Sequence, residues 1–354
     1  MNKLAKLRAE LKAANIDAFM ITRPENRRYI TGFHGSAGTV LVTQTGAYLL
    51  TDFRYVEQAK SQAPEFQVIR TGAPGQNTLN DLIVADGVSR LGFEQRHVTY
   101  AEFTQLKQEL SAELVPQSGI VEKLRVVKTE AEVAHMQRAS DIAEAAFQAI
   151  LPEIKIGNSE LTIALELEIA MRRLGAEGMS FPIIAASGPR SSLPHGAPSE
   201  RLLQEGDFLT LDFGAISGGY CSDMTRTVVL GQPSEKQQEI YRIVLEAQLQ
   251  AQAAVHPGMK GSELDKVARD IITDAGYGDY FGHGLGHGVG LQVHEGPSAG
   301  RRSEAVLEPG MVVTVEPGIY IPNFGGVRIE DMVLVTETGH QNFNHSSKEL
   351  MVIV

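Results

Sequence analysis

Cysteine is nearly missing from this 354-residue chain, which carries one, Cys221, and tryptophan is missing altogether. A lone cysteine excludes a disulfide framework and a thiolate zinc site, and it fits a reducing compartment. In its local pattern Cys221 reads as a small buried hydrophobe rather than a nucleophile. Basic charge is also short. With 32 Lys and Arg against 43 Asp and Glu, the net charge is -11, which argues against nucleic acid or an anionic membrane as a main partner. Long apolar runs are lacking too: the opening stretch MNKLAKLRAELKAANIDAFMI alternates charge with apolar residues at helical spacing. It holds neither a signal-peptide core nor a membrane span, so a cytoplasmic protein is expected. What is present, 43% hydrophobic residues over this length, suffices for two globular domains with cores of their own.

Residues 1–125 read as an α/β unit with a mixed, largely parallel wound sheet. Strand patterns at 17–21, 39–43, 47–51, 66–69 and 90–93 alternate with helical ones that include an opening helix, one from Asp52, 78–84 and 100–110. The loop TGFHGSAG at 31–38 lacks the lysine and spacing of a phosphate cradle and reads as a structural turn.

Residues 126–354 read as an α+β unit in which one order of elements occurs twice. Thr129 and Glu132 form a capping box ahead of an apolar stripe through Val133, Met136, Ala139, Ala143, Phe147 and Ile150, and a helix at 160–174 follows. Ser234 and Gln237 repeat the box before helices at 235–255 and 262–276. Each helix pair precedes a His-bearing loop, and PHGAPS at 194–199 echoes VHEGPS at 293–298. Each loop precedes a hairpin, 209–215 with 220–229 and 311–316 with 327–335, so the expectation is a pseudo-twofold domain whose halves share a site. With Ser217 and Gly218 as turn residues, Asp212 falls opposite Asp223, and such partners hold their Cβ atoms about 4.5–5.5 Å apart, where like charges repel. Two divalent ions, spaced about 3.5–4 Å, suit bridging carboxylates of this kind. The second hairpin adds Glu316 and Glu330.

The segment FGHGLGHGVGLQVHE at 281–295 alternates glycine with other residues, which excludes a helical two-histidine metal motif. In an extended backbone His283 and His287 lie roughly 13 Å apart, at about 3.3 Å per residue, so one is expected as a ligand and the other is left to substrate. Four acids balance two divalent ions in charge, and a neutral imidazole adds a fifth ligand. Such an oxygen-rich set suits Mn²⁺ or another hard or borderline ion. Ions of this kind acidify water and polarise a carbonyl, and spare histidines can stabilise an oxyanion or carry protons. The expected reaction is metal-assisted hydrolysis, with an amide as the leading substrate.

The pieces LPHGAPS, LDFGAISGGYCSDMTRT, HGLGHGVGLQVHE, VTVEPGIYIP and GGVRIED occur in this order. Together they resemble the pita-bread metallopeptidases, the group of methionine aminopeptidase, Xaa-Pro aminopeptidase, prolidase and creatinase. The resemblance implies a pita-bread catalytic domain over 126–354, with Asp212, Asp223, His287, Glu316 and Glu330 as ligands of two metal ions, Mn²⁺ first and Co²⁺, Zn²⁺ or Fe²⁺ as alternatives. It implies catalytic roles for His195, His283 and His294, and it matches Arg328 to an arginine of the proline-specific members. ITGFHGSAGTVLV and LLTDFRYVEQA resemble the creatinase-type N-terminal domain, over 1–125, which implies a homodimer. The leading expectation is a Xaa-Pro aminopeptidase acting on proline-containing peptides, with a Xaa-Pro dipeptidase as the alternative. A metal-free creatinase-like hydrolase and a non-catalytic binding protein on the same scaffold are two further classes, and the full ligand set argues against both.

Overall fold

The computed structural model describes residues 2–72 and 77–354, which form two compact units, Met1–Arg125 and Val126–Val354. Among the described residues no helix is long and apolar enough to cross a membrane.

The first unit is built on strands β1 (Ala18–Ile21), β2 (Thr39–Thr43), β3 (Ala47–Thr51), β4 (Gln67–Arg70), β5 (Arg90–Glu94) and β6 (Glu113–Gln117), in the order β4-β3-β2-β1-β5-β6. The sheet is mixed, because the short turn after Thr43 can join only antiparallel neighbours. The β1–β2 and β2–β3 pairs are antiparallel, and β3–β4, β1–β5 and β5–β6 are parallel. Around it run α1 (Lys3–Ala13), α2 (Pro24–Thr31), α3 (Val56–Gln62), α4 (Thr78–Ala85) and α5 (Tyr100–Glu109), with α6 (Ile120–Val126) at the end of the unit. Helix α2 and strand β6 carry no clear periodic pattern and were not expected. The helix expected from Asp52 starts later, because the Asp52 carboxylate accepts the Arg54 N–H (2.9 Å) and holds a turn there. The glycine loop at 31–38 is a structural turn, held by buried Arg27, which donates to the carbonyls of Gly35 (2.6 Å) and Gly38 (2.7 Å).

The second unit opens with α7 (Glu130–Ile150) and α8 (Glu160–Arg173), and the Thr129–Glu132 capping box is formed. Met136, Ala139, Ala143, Phe147 and Ile150 are buried along one face of α7. Strands β7 (Gly178–Met179), β8 (Ile184–Ser187), β9 (Phe208–Phe213), β10 (Ala215–Ser217), β11 (Tyr220–Cys221) and β12 (Met224–Leu230) follow, then α9 (Glu235–Ala254), capped by Ser234 and Gln237, and α10 (Gly261–Asp274). The chain ends in β13 (Gly286–Gly288), β14 (Glu295–Ala299), β15 (Val312–Val315), β16 (Gly318–Ile321), β17 (Gly325–Arg328), β18 (Asp331–Val335), β19 (His340–Asn342) and β20 (Met351–Ile353).

Two sheets carry the site, in the orders β20-β12-β9-β8 and β14-β13-β15-β18-β19. Reading β8-β9-β12 against β13-β15-β18 gives antiparallel neighbours at each step of both runs. This topology is the twofold repetition expected from the order of elements. Phe147, Ile163, Leu167 and Met171 of α7 and α8 pack with Leu209, Leu211 and Phe213 of β9, and Ile240, Val244, Leu264 and Ala268 of α9 and α10 pack with Val313, Val315 and Val333. A smaller cluster holds Met136, Cys221, Val289, Val312 and Met332, so Cys221 is indeed buried as a hydrophobe.

Candidate active site

Each half places one acid where a hairpin is interrupted. In the first, Gly218 and Gly219 form the turn with φ of 57 and 80°, and the ladder pairs Ser217 with Tyr220 and Asp212 with Thr225. The expected pairing of Asp212 with Asp223 is therefore wrong. A two-residue turn of this kind wants φ > 0 at both positions, which two glycines adopt at less cost than Ser-Gly. The turn moves along by one residue, and Asp223 falls in the break between β11 and β12. There the chains approach closely, since a Cβ on Gly214 would lie 1.9 Å from the Ser222 carbonyl oxygen.

The second hairpin is broken in the same way. The single returning strand expected over 327–335 is two strands, β17 and β18, in different sheets. Between them the Glu330 N–H donates to the Thr225 carbonyl (3.1 Å), so the chain leaves one partner to bridge to the other half. With Met224 opposite Phe213 and Asp331 opposite Val315, Asp223 and Glu330 occupy equivalent positions just ahead of the returning strands. The outer acids do not: the counterpart of Asp212 is Thr314, and that of Glu316 is Gly214.

His287 joins these acids from β13, which lies between β14 and β15. The flanking glycines make room for it, because a Cβ on Gly286 or Gly288 would lie 2.0 Å from the carbonyl oxygen of Thr314 or Gly296. His287 Nε2 is 3.3 Å from Glu316 Oε1 and 3.7 Å from Asp223 Oδ2. Its Nδ1 lies 3.1 Å from the Gly288 carbonyl, a contact that Nδ1 makes only as donor. The Nε2 lone pair is thereby turned to the acids. Burial pushes this imidazole down to about 4, which keeps it neutral. Ligand atoms of Asp223, His287 and Glu330 lie within 4.8 Å of one another.

The electrostatics of the cluster call for positive charge. Burial, then the neighbouring carboxylates, push Asp223 and Glu330 well above the usual range. Burial pushes Glu316 up to about 8 despite Arg328 nearby. Asp212 Oδ1 and Glu330 Oε1 are buried with no hydrogen-bond partner among the described residues, and each such group costs about 1–3 kcal/mol, more when charged. Clustered carboxylates, orphaned oxygens and one imidazole with its lone pair inward form a donor set that fits divalent cations.

Arg328 sits beside this cluster, buried, donating from Nη2 to Asp212 Oδ2 (2.6 Å), from Nε to Thr225 Oγ1 (3.1 Å) and from Nη1 to Tyr320 Oη (2.9 Å). The Tyr320 hydroxyl is 2.9 Å from His283 Nε2, and His283 Nδ1 is 2.8 Å from the Gly284 carbonyl. His283 therefore meets Tyr320 rather than the acids, and burial lowers its pKa to about 4. The exposed His294 ring lies 4.2 Å from that of His287. His195 is exposed on the loop after β8. All these acids and histidines, with Arg328, line one cavity of about 490 Å³ whose apolar wall includes Phe181, Pro182, Ile183, Ile184 and Val293.

Three polar residues of the site were not foreseen. Thr225 donates to Glu330 Oε2 (2.6 Å), Thr314 donates to Glu316 Oε1 (3.1 Å), and Tyr320 joins Arg328 to His283. In sequence Thr225 stands two residues after Asp223, but alternation alone does not separate a residue that faces an acid from one that faces water. Nothing marks Phe181 to Ile184 as a cavity wall beyond an apolar run before a loop.

Two family models match the chain: Metallopeptidase family M24 over residues 134–337 and the Creatinase/Prolidase N-terminal domain over residues 3–127. A Xaa-Pro dipeptidase of Pyrococcus horikoshii is 40% identical over 355 residues, 99% of each chain. Among solved structures, a Xaa-Pro dipeptidase from Bacillus anthracis superposes with a TM-score of 0.97 at 48% identity over 99% of both chains. An X-Pro aminopeptidase from Thermotoga maritima MSB8 gives 0.90 at 38%, over 96% of this chain and 98% of the other.

Proposed function

This chain belongs to metallopeptidase family M24, and on that premise we propose that it is a Xaa-Pro dipeptidase that uses two divalent metal ions to split the bond before proline. The observation that carries the reading is the convergence of Asp212, Asp223, His287, Glu316 and Glu330 on one cavity, with two buried carboxylate oxygens that lack partners among the described residues. In this reading those five residues would hold the ions, with Mn²⁺ as the first choice. When bound, such ions supply Lewis-acid polarisation of the carbonyl and an acidified water.

The chain's own residues do the rest. Arg328 orients Asp212, and Thr225 and Thr314 orient Glu330 and Glu316 through the hydrogen bonds given above. His195 and His294, exposed at the mouth, hold substrate and donate to the developing oxyanion. His283 completes the wall on the Tyr320 side. The apolar wall from Phe181 to Ile184 excludes water and suits a pyrrolidine ring or an apolar neighbour. The reading also includes a homodimer, which light scattering tests directly.

The choice between dipeptides and longer peptides moves away from the aminopeptidase favoured on sequence motifs. Named relatives at 40% identity and the Bacillus anthracis structure at 48% are Xaa-Pro dipeptidases, which supports the dipeptidase. A second depression, sharing His283 and Gly284 with the cavity, carries Arg301 and Arg302, and these suit the terminal carboxylate of a short substrate. The Thermotoga maritima relative keeps the aminopeptidase as a second reading. The test is hydrolysis of a Xaa-Pro dipeptide and a Xaa-Pro-Yaa tripeptide, with chelator and with added Mn²⁺. Metal-dependent cleavage of the dipeptide alone is expected. Comparable kcat/KM on the tripeptide favours the aminopeptidase, and cleavage that survives complete metal removal defeats both.

A further inference from the structure

His283 stands between Gly282 and Gly284, so its own loop has little to hold it in place. The restraint comes from α10. Arg269 donates from Nη1 to the Phe281 carbonyl (2.9 Å) and from Nη2 to the His283 carbonyl (2.7 Å), while Asp265 Oδ1 accepts the Leu285 N–H (3.0 Å). The two side chains lie one helical turn apart and are joined by a bidentate pair, 2.7 Å at both contacts. They are 12% and 2% exposed. The guanidinium also packs on the Phe281 ring, 4.1 Å from its centre. A planar fork matched to two carbonyls and a carboxylate fixes backbone geometry on both sides of His283, which a lysine's single point of charge does not.

The first half holds its own histidine loop by a similar device. Glu160, at the start of α8 and fully buried, accepts the Ser187 N–H (2.7 Å), the Ser199 N–H (3.0 Å) and Arg190 Nε (3.0 Å), and Arg190 donates to the Ala197 carbonyl (2.6 Å). These residues bracket His195. In both halves the second helix supplies an acid, an arginine is paired with it, and the recipients are backbone groups of the loop that carries a site histidine.

We propose that Arg269, locked by Asp265, is a positioning residue that sets the place of the His283 ring against Tyr320 and hence the substrate side of the cavity. This rests on the reading of His283 as a substrate-facing residue. The experiment is a double-mutant cycle on the metal-loaded protein with Arg269→Met, His283→Ala and the pair, together with backbone hydrogen exchange of residues 282–285 and metal content. Arg269→Met should lower kcat by about tenfold to a hundredfold, the scale of a misplaced group, with KM and metal content little changed and with faster exchange at 282–285. In the His283→Ala background the same change should cost less than about twofold. Should Arg269→Met fail to fold, Arg269→Lys keeps a charge beside Asp265 and should still lose several-fold. Equal losses in the two backgrounds, or unchanged exchange, overturn the proposal. If His283→Ala alone leaves kcat intact, the role given to His283 fails, while faster exchange in Arg269→Met still upholds the clamp on its loop.

Discussion

Thr225 shows how much of the site depends on a side chain that binds neither metal nor substrate in the proposed reading. Its hydroxyl donates to Glu330 and accepts from Arg328, so Thr225→Val frees both. Metal affinity should fall about tenfold to a hundredfold, the cost typical of losing a ligand's supporting hydrogen bond. Competition with a chelator of known affinity measures it, and an unaltered constant rejects the role. Asp223→Ala and Glu330→Ala should lose metal and turnover together, since each removes one of the three residues whose ligand atoms lie within 4.8 Å of one another. Two equivalents of metal in either variant would falsify their assignment as ligands. His195→Ala should instead lower kcat roughly a hundredfold, as for an oxyanion donor, with metal content intact, and metal loss there places His195 wrongly. The acids and histidines were legible in sequence because each stands inside a glycine-rich or strand-like apolar pattern, where an ionisable side chain is out of place. Tyr320 and Thr225 were not, because a polar residue in alternation looks the same whether it faces water or an acid.

At the scale of elements, the hairpins succeed by interruption. In the Ser217-Gly218-Gly219 run both placements read as turns, and the demand for φ > 0 at two successive positions favours Gly218-Gly219 over Ser217-Gly218. That one-residue difference decides whether Asp223 sits in the ladder or at the break. The second break was hidden: Val327 to Val335 reads as one strand, and the pull of Thr225 on Glu330 is a contact between halves that no local pattern contains. Glycine is what permits the approach of β13 to β15. Gly286→Ala would drive a Cβ to within 2.0 Å of the Thr314 carbonyl oxygen, whereas a Cβ at Gly282 meets nothing within 4 Å among the described residues. Overpacking of this kind costs roughly 1–3 kcal/mol, so Gly286→Ala should melt several degrees below Gly282→Ala by calorimetry. Coincident melts show that the strand has slack.

For the whole molecule, the buried acids tie stability to pH and metal. Glu316 is pushed up to about 8, and Asp223 and Glu330 move the same way, all chiefly by burial. The metal-free fold therefore holds more protons than the unfolded chain from the ordinary carboxylate range up to about 8, and its stability falls as pH rises through that window. His283 and His287, lowered from 6.5 to about 4, act in the opposite sense between those values and are neutral in both states above 6.5. From 6.5 to about 8 the acids decide: the melting temperature of chelated protein should drop with rising pH, and metal should abolish the drop by taking the place of the protons. A chelated protein that grows more stable across that interval contradicts the arrangement. Overall architecture was readable from the repeated order of elements, but the fate of β20 was not, since three residues of edge strand carry no pattern. That strand runs parallel to β12, Val228 opposite Met351, and the Gly231 N–H reaches the Ile353 carbonyl (2.7 Å). The polypeptide thus returns to its earlier lobe after finishing the later one, like a drawstring. A protease nick at 231–234 should leave both fragments laced in one noncovalent body, while trimming β20 should loosen the lobe that lies more than a hundred positions upstream.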